Sequence, residues 1–247
     1  MKIIGVYNIK GGVGKTASAV NLAYSAYKAG NRTLIWDLDP QAAASFYFRV
    51  KPKVQKSKKI LKGQQKIDID RMVKATDFDG LDILPADFSY RKMDEIFHQQ
   101  DKPAMQLLRL LRPLSQHYDI IFLDCPPNIS LVSENIFKAA DSLIIPTIPT
   151  TLSLRTLNQL LDFIDDKKLH HLKLMPFFSM VDKRKNMHRE MIGQSLDQRI
   201  KTLKNYIVYS SVVEKMGIER APVASFDKNH PVAKDYDALW DEIIQQL

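Results

Sequence analysis

Lys10-Gly11-Gly12-Val13-Gly14-Lys15-Thr16 puts two ammonium groups, three glycines and a hydroxyl into one short turn. An apolar run, Ile3 to Ile9, precedes it, and a helix-like stretch, Thr16 to Ala29, follows. A strand, a glycine-rich turn and a helix N-terminus make an anion cradle, because backbone N–H groups point inward and the helix dipole favours negative charge. In such a cradle Lys15 reaches the β- and γ-phosphates of a nucleotide and the Thr16 hydroxyl takes a magnesium ion.

Two carboxylate segments could complete that chemistry. Trp36-Asp37-Leu38-Asp39-Pro40-Gln41 ends a second apolar run, and alternation along a strand puts Asp37 and Asp39 on the side facing the glycine turn. Ile120-Ile121-Phe122-Leu123-Asp124 is four apolar residues closed by a carboxylate, a Walker B pattern. Asp124 would hold magnesium through water, since this ion dehydrates reluctantly. Pro126 and Pro127 stiffen the chain as it leaves that strand.

The elements that must position these groups alternate in type. Strands are expected at Ile3–Asn8, Arg32–Asp37, Leu81–Pro85, Ile120–Asp124, Ser142–Pro146, Leu172–Phe178 and Asn205–Tyr209. Helices are expected at Thr16–Ala29, Tyr90–Gln99, Ala104–His117 (with Asp101 as cap), Ser130–Ala140, Leu152–Asp165, Met187–Leu203 and from Pro231 to the end, capped by Asn229. Repeated β–α alternation predicts an α/β fold, a doubly wound and mostly parallel sheet with helices on both faces, as one domain over residues 1–247. Its ligand belongs beyond the carboxyl ends of the strands, where all these motifs fall.

The glycine turn departs from the strict P-loop pattern, which needs glycine where Ile9 stands, and it carries an added lysine, Lys10. That arrangement resembles the deviant Walker A box of the ParA/MinD family of dimerising ATPases. Asp37-Leu38-Asp39-Pro40-Gln41 resembles the family's switch I, and Asp124-Cys125-Pro126-Pro127 its switch II. Ile144-Ile145-Pro146 and Met180-Val181-Asp182-Lys183-Arg184 also look like family segments, so the likeness covers most of the chain. Ala17 stands for a second threonine, Ala42-Ala43 for Gly-Asn and Asn128 for serine.

The resemblance implies ATP and Mg2+ as ligands and three catalytic groups, Lys10, Lys15 and Asp39. Lys10 would cross to the partner subunit's ATP, and Asp39 would orient the attacking water. Nucleotide contacts fall to Lys10, Gly11, Gly12, Val13, Gly14, Lys15, Thr16, Ala17, Asp124, Pro126, Met180 and Asp182, with Ser179–Asp182 and Tyr209–Ser211 beside the base. Metal contacts fall to Thr16, Asp39 and Asp124, with Asp37 in the outer shell. ATP then becomes part of a homodimer interface, and its slow hydrolysis, stimulated by a partner, loosens that dimer.

Composition narrows what such a switch controls. The lone Cys125 excludes an internal disulfide and argues against an iron–sulfur cluster, which needs several thiolates, and it is read as a small core residue. No apolar run spans a bilayer, and the first strand begins too early for a signal peptide, so a cytoplasmic address is expected. Net charge is +8. Arg49 to Lys66 holds eight basic residues and no acidic one. Without those eight, the 36 basic residues fall to the number of acidic ones, 28, so this segment carries the whole excess. It reads either as an arm for nucleic acid or an acidic partner, or as a solvated insertion.

Three outputs fit the family: DNA-based partition of a cargo, MinD-like membrane placement, and metabolic chemistry. The C-terminal stripe Val232, Tyr236, Leu239, Trp240, Ile243, Leu247 is flanked by Asp235, Asp237, Asp241 and Glu242. Anionic lipid would repel it, so it reads as a core-packed helix rather than a membrane anchor. Lys183, Arg184, Arg189, Arg199, Lys201, Lys204 and Arg220 are the candidate phosphate contacts for DNA bound without sequence preference. The expected partners are a second copy, DNA, and a ParB-like or other cargo adaptor, with no membrane. The expected place is the nucleoid while ATP is bound. His170-His171 is not read as a metal site, and no metal-binding cysteine cluster supports the metabolic reading.

Overall fold

A computed structural model describes residues 1–52 and 69–247. Most of the basic segment 49–66 therefore lies outside the described residues. Seven strands form one sheet in the order β3-β4-β2-β5-β1-β6-β7. They are β1 (Lys2–Val6), β2 (Thr33–Asp37), β3 (Lys74–Ala75), β4 (Leu81–Leu84), β5 (Ile120–Asp124), β6 (Ser142–Thr147) and β7 (Lys173–Phe178). All pairings are parallel except the edge pair β3–β4.

Strand alternation splits neighbouring apolar residues between two cores, as burial on both faces requires. Ile3, Leu34, Ile121 and Leu143 face one core, and Ile4, Ile35, Phe122 and Ile144 face the other. The first core is covered by α3 (Met93–His98), α4 (Gln106–Leu111), α5 (Leu131–Ala139) and α6 (Thr151–Asp166). The second is covered mainly by α1 (Lys15–Lys28) and α10 (Pro231–Ile244). The short helices α2 (Ala43–Tyr47), α8 (Ser211–Glu219) and α9 (Val223–Phe226) lie on that same face, and α7 (Asn186–Ile192) follows β7. This is the doubly wound, mostly parallel sheet expected. Gly5 at its centre is a close-packing glycine: a Cβ there would lie 2.8 Å from Leu143 Cδ1 and 3.3 Å from Ile136 Cγ2.

Several expected elements are cut short for local reasons. The helix expected over Ala104–His117 runs only as α4, because Pro113 lacks an N–H and turns the chain into a 3₁₀ segment, Arg112–Gln116. Tyr90–Gln99 is likewise a 3₁₀ turn, Phe88–Lys92, followed by α3. The helix expected over Met187–Leu203 stops at Ile192, where Gly193 follows, and the chain then bridges Asp197 to Ile200. Asn205–Tyr209 is not a strand, and only Val208 pairs, with Val181. His230, not Asn229, caps α10, its Nδ1 accepting the Val232 N–H at 3.2 Å with Pro231 in the first turn. Asp101 caps nothing, since its backbone carbonyl accepts from Gln106 instead. The short helices α2, α8 and α9 lacked any expected counterpart.

The C-terminal stripe does pack inward. Val232, Tyr236, Leu239, Trp240 and Ile243 are buried, and the Trp240 ring lies 5.8 Å from that of Phe122 on β5. No helix among the described residues is long and apolar enough to cross a membrane. Trp240→Ala should therefore lower the unfolding free energy by about 3–5 kcal/mol, the cost of emptying an aromatic site in a packed core. Denaturant titration measures it, and a loss under 1 kcal/mol would show that this helix is not part of the core.

Candidate functional site

The glycine turn links the carboxyl end of β1 to the start of α1 and is pinned from both sides. Asn8, fully buried, accepts the Lys10 N–H at 2.9 Å and donates to the Pro146 carbonyl on β6 at 2.9 Å. Ser179, just past β7, donates to the Val13 carbonyl at 2.9 Å. Gly12 and Gly14 take left-handed φ values of 71° and 84°, which side chains resist. A Cβ on Gly11 or Gly12 would meet nothing within 4 Å, so a ligand can approach this backbone closely. No side chain caps α1, which leaves its first N–H groups to an anion.

Lys15 is buried and folds back so that its ammonium donates to the Lys10 carbonyl at 3.0 Å. Burial lowers its pKa, opposed mainly by the nearby Asp124 carboxylate. Behind it, Asp37 and Asp124 are register partners at the ends of β2 and β5, and both are fully buried. Asp124 Oδ1, Asp124 Oδ2 and Asp37 Oδ1 have no hydrogen-bond partner. Desolvation pushes the Asp124 carboxyl well above the usual range, and the Asp37 charge adds to that rise. The Thr16 hydroxyl beside Asp124 eases the rise, although it makes no bond of full geometry to either oxygen. Desolvation likewise raises Asp37 to about 6, against the bonds it accepts from Ser45.

Carboxylates stacked in a low dielectric with bare oxygens fit a divalent cation, which would satisfy them and return them to the charged form. Thr16 and Asp124 are placed to hold it, with Asp37 behind. Asp39 sits half-buried at the mouth, its Oδ1 accepting the Gln41 N–H at 2.9 Å. No cluster of three or more His, Cys, Asp or Glu side chains forms a metal cage among the described residues. Ala42, where the resembling family has glycine, takes a left-handed φ of 59°. The Asp39 loop is therefore built around a backbone strain of roughly 1–2 kcal/mol.

Lys10 lies at the rim, half-buried, its ammonium donating to Ser153 Oγ of α6 at 3.2 Å. Beside the turn is a cavity of about 220 Å³ whose walls include Gly12, Gly14, Ala17, Met180, Tyr209 and Val213. Ser179 and Ser210 also line it. Asp182, expected beside the base, does not. Its carboxylate pairs with Arg184, with both bonds at 2.9 Å, and its N–H goes to His188 Nδ1. Val181 and Ser211 are also absent from the lining. Glu214 and Tyr236 line the cavity without having been expected there, as do Ile207 and Val208. Ser153 and Ser45 join the site through contacts that no spacing in the sequence marks, whereas Asn8 stands two residues before Lys10 and bonds its N–H directly.

The basic candidates divide into two groups. Arg184 is ion-paired with Asp182, and Arg199 is held by Asp162 at 2.7 Å and Asp197 at 3.0 Å, with Asp165 at 3.9 Å. Their charges are matched locally. Lys183 sits over the Tyr206 ring, Arg189 bonds Asn186, and Arg220 stacks on Phe46 and donates to its carbonyl. Among the described residues, these three and the exposed Lys201 and Lys204 form no ion pair with a carboxylate. His171 contacts the Phe137 carbonyl.

Residues 1–175 match the model of a family described as AAA domain. The chain is 30% identical over 254 residues to the chromosome partitioning protein ParA of Myxococcus xanthus, covering 99% of this chain and 88% of that protein. It is 31% identical over 248 residues to the sporulation initiation inhibitor protein Soj of Bacillus subtilis, covering 98% of each. Among solved structures it superposes with a TM-score of 0.82 on a protein of Mycobacterium smegmatis described as cobyrinic acid a,c-diamide synthase with bound ADP and magnesium. That pair is 24% identical, covering 100% of this chain and 95% of the other, and at that identity the likeness is one of fold. With the glycine turn, its two lysines and the paired buried carboxylates in place, these relatives put the chain in the AAA domain family, among the ParA-type P-loop ATPases.

Proposed function

We propose that this protein is an ATP-dependent dimerising switch that binds DNA without sequence preference in its ATP state and partitions or positions a cargo. The observation that carries the nucleotide reading is the set of three bare, buried carboxylate oxygens behind Lys15 at the mouth of a glycine cradle. ATP and magnesium match that set, and the structurally similar Mycobacterium protein was crystallised with ADP and magnesium. Bound magnesium supplies positive charge to the β- and γ-phosphate oxygens.

The protein's own groups do the rest. Turn amides and the N-terminus of α1 hold the phosphates, and Lys15 swings from the Lys10 carbonyl to the β- and γ-phosphates. Asp39 orients a water in line with the γ-phosphate. The 220 Å³ cavity takes the base against Met180 and Tyr209. Lys10 exchanges the neutral hydroxyl of Ser153 for the triphosphate of a second copy, so nucleotide state sets pairing. Hydrolysis removes the γ-phosphate that Lys10 holds and loosens the pair, slowly unless an adaptor of ParB-like or other type stimulates it. The whole chain, 1–247, acts as one such unit, in the cytoplasm and on the nucleoid while ATP is bound. The two relatives at 30% identity or more are a partition and a sporulation protein, which favours cargo partition over metabolic chemistry, while the likeness to the cobyrinic acid a,c-diamide synthase, at 24% identity, is one of fold.

Two outcomes test this reading. In the Asp39→Ala background, where ATP persists, light scattering should find a dimer with ATP and a monomer once Lys10→Ala is added. A dimer in both would remove Lys10 from the interface. Binding to random duplex DNA should need ATP and fall by about 10³-fold between 50 and 200 mM salt if some six phosphates are contacted. Lys201→Glu with Lys204→Glu should weaken binding and flatten the salt slope, whereas equal binding with ADP would exclude DNA as the output of the switch.

A further inference from the structure

Three buried hydrogen bonds converge on a serine that no motif singles out. Ser45, on α2, is fully buried. Its N–H and its hydroxyl both reach Asp37 Oδ2, at 2.8 and 2.7 Å, and its Oγ accepts the Ala86 N–H at 2.9 Å. The direction of the hydroxyl proton follows. An amide N–H can only donate, so Oγ accepts from Ala86 and gives its own hydrogen to Asp37. One oxygen of Asp37 is thereby engaged twice, while Oδ1 is left bare, next to the bare oxygens of Asp124 across the β2–β5 pair.

The same bonds close a ring in the chain. The backbone leaves β2 at Asp37, passes through Asp39, Pro40 and Gln41, and returns to the Asp37 carboxylate at Ser45. Asp39 thus rides on a loop stapled at its base, and the Ala86 amide ties that staple to the exit of β4. Without the hydroxyl, Asp37 could rotate its free oxygen away from the site, and the Ala86 amide would lose its buried acceptor.

We propose that Ser45 is a positioning residue for the divalent cation: it engages Oδ2 of Asp37 so that Oδ1 faces the metal position, and it holds the Asp39 loop closed beneath it. The inference rests on the magnesium–nucleotide reading of the site. The test is a titration of the full-length protein with a fluorescent ATP analogue over a range of Mg2+ concentrations, with nucleotide affinity in EDTA measured alongside. Ser45→Ala should raise the Mg2+ concentration for half-saturation about tenfold, the scale of one buried hydrogen bond to a charged group. Affinity in EDTA should stay within about twofold of wild type. Ser45→Thr, which keeps the hydroxyl, should restore the Mg2+ requirement.

An unchanged Mg2+ requirement in folded Ser45→Ala would overturn the inference alone, and so would a Ser45→Thr variant as impaired as Ser45→Ala. If Ser45→Ala does not fold, Ser45→Cys, close in volume and a weaker donor, should show an intermediate requirement, and a wild-type value there would overturn the inference. Wild-type protein that binds nucleotide with no dependence on Mg2+ would overturn both the inference and the reading beneath it.

Discussion

Everything at the carboxyl edge of this sheet is organised around an unmet electrostatic need. Asp37 and Asp124 end adjacent strands at zero exposure, and three of their four oxygens lack a partner. Leaving ionised carboxylates in that state costs several kcal/mol each, so without a cation they are driven toward the neutral form. Lys15 is the only cation close to Asp124 among the groups that set its charge state, and burial weakens its own hold on a proton. The site is therefore completed by something from outside, and both its shape and its charge ask for a metal-bound phosphate.

The arrangement is held by a frame that spans the fold. Asn8 and Ser179 tie the glycine turn to β6 and to the end of β7. The start of α8 lines the cavity beside the glycine turn, and its end reaches α2: Arg49 donates to the Glu219 carbonyl at 2.8 Å, and Arg220 donates to the Phe46 carbonyl at 3.1 Å while stacking on that ring. This cavity, α8, α2 and the Asp39 loop thus form one connected body on a single face of the sheet. The same face buries the C-terminal helix, which removes that helix as a membrane anchor.

Much of this was legible in the sequence because it is local. A glycine-rich turn between an apolar run and a helix, and strands that end in aspartate, are patterns in which neighbours in sequence are neighbours in space. The parallel sheet follows from β–α alternation, and Ile3 and Ile4 or Ile121 and Phe122 divide between its faces as a strand must. The misses are where tertiary context decides. Pro113 and Gly193 cut helices that apolar periodicity alone would extend. Asp182 pairs with Arg184 two residues on and does not line the cavity. Arg199 looked like a free cation, and only the fold brings Asp162 to it. Ser45 and Ser153 carry no motif, and their roles come from what α2 and α6 are packed against.

The central claim is that Asp124 is kept for its ligand at a cost to the empty protein. Thermal unfolding of Asp124→Asn against wild type, in EDTA and then with magnesium and ATP at about 100 times the dissociation constant, tests it most directly. The account predicts that the variant melts no lower than wild type in EDTA, since a neutral near-isostere replaces a bare buried carboxylate. It also predicts that only wild type gains the roughly 2.7 kcal/mol expected from ligand linkage at that excess. A variant that melts several degrees lower in EDTA, or that gains as much from magnesium and ATP as wild type does, would contradict it.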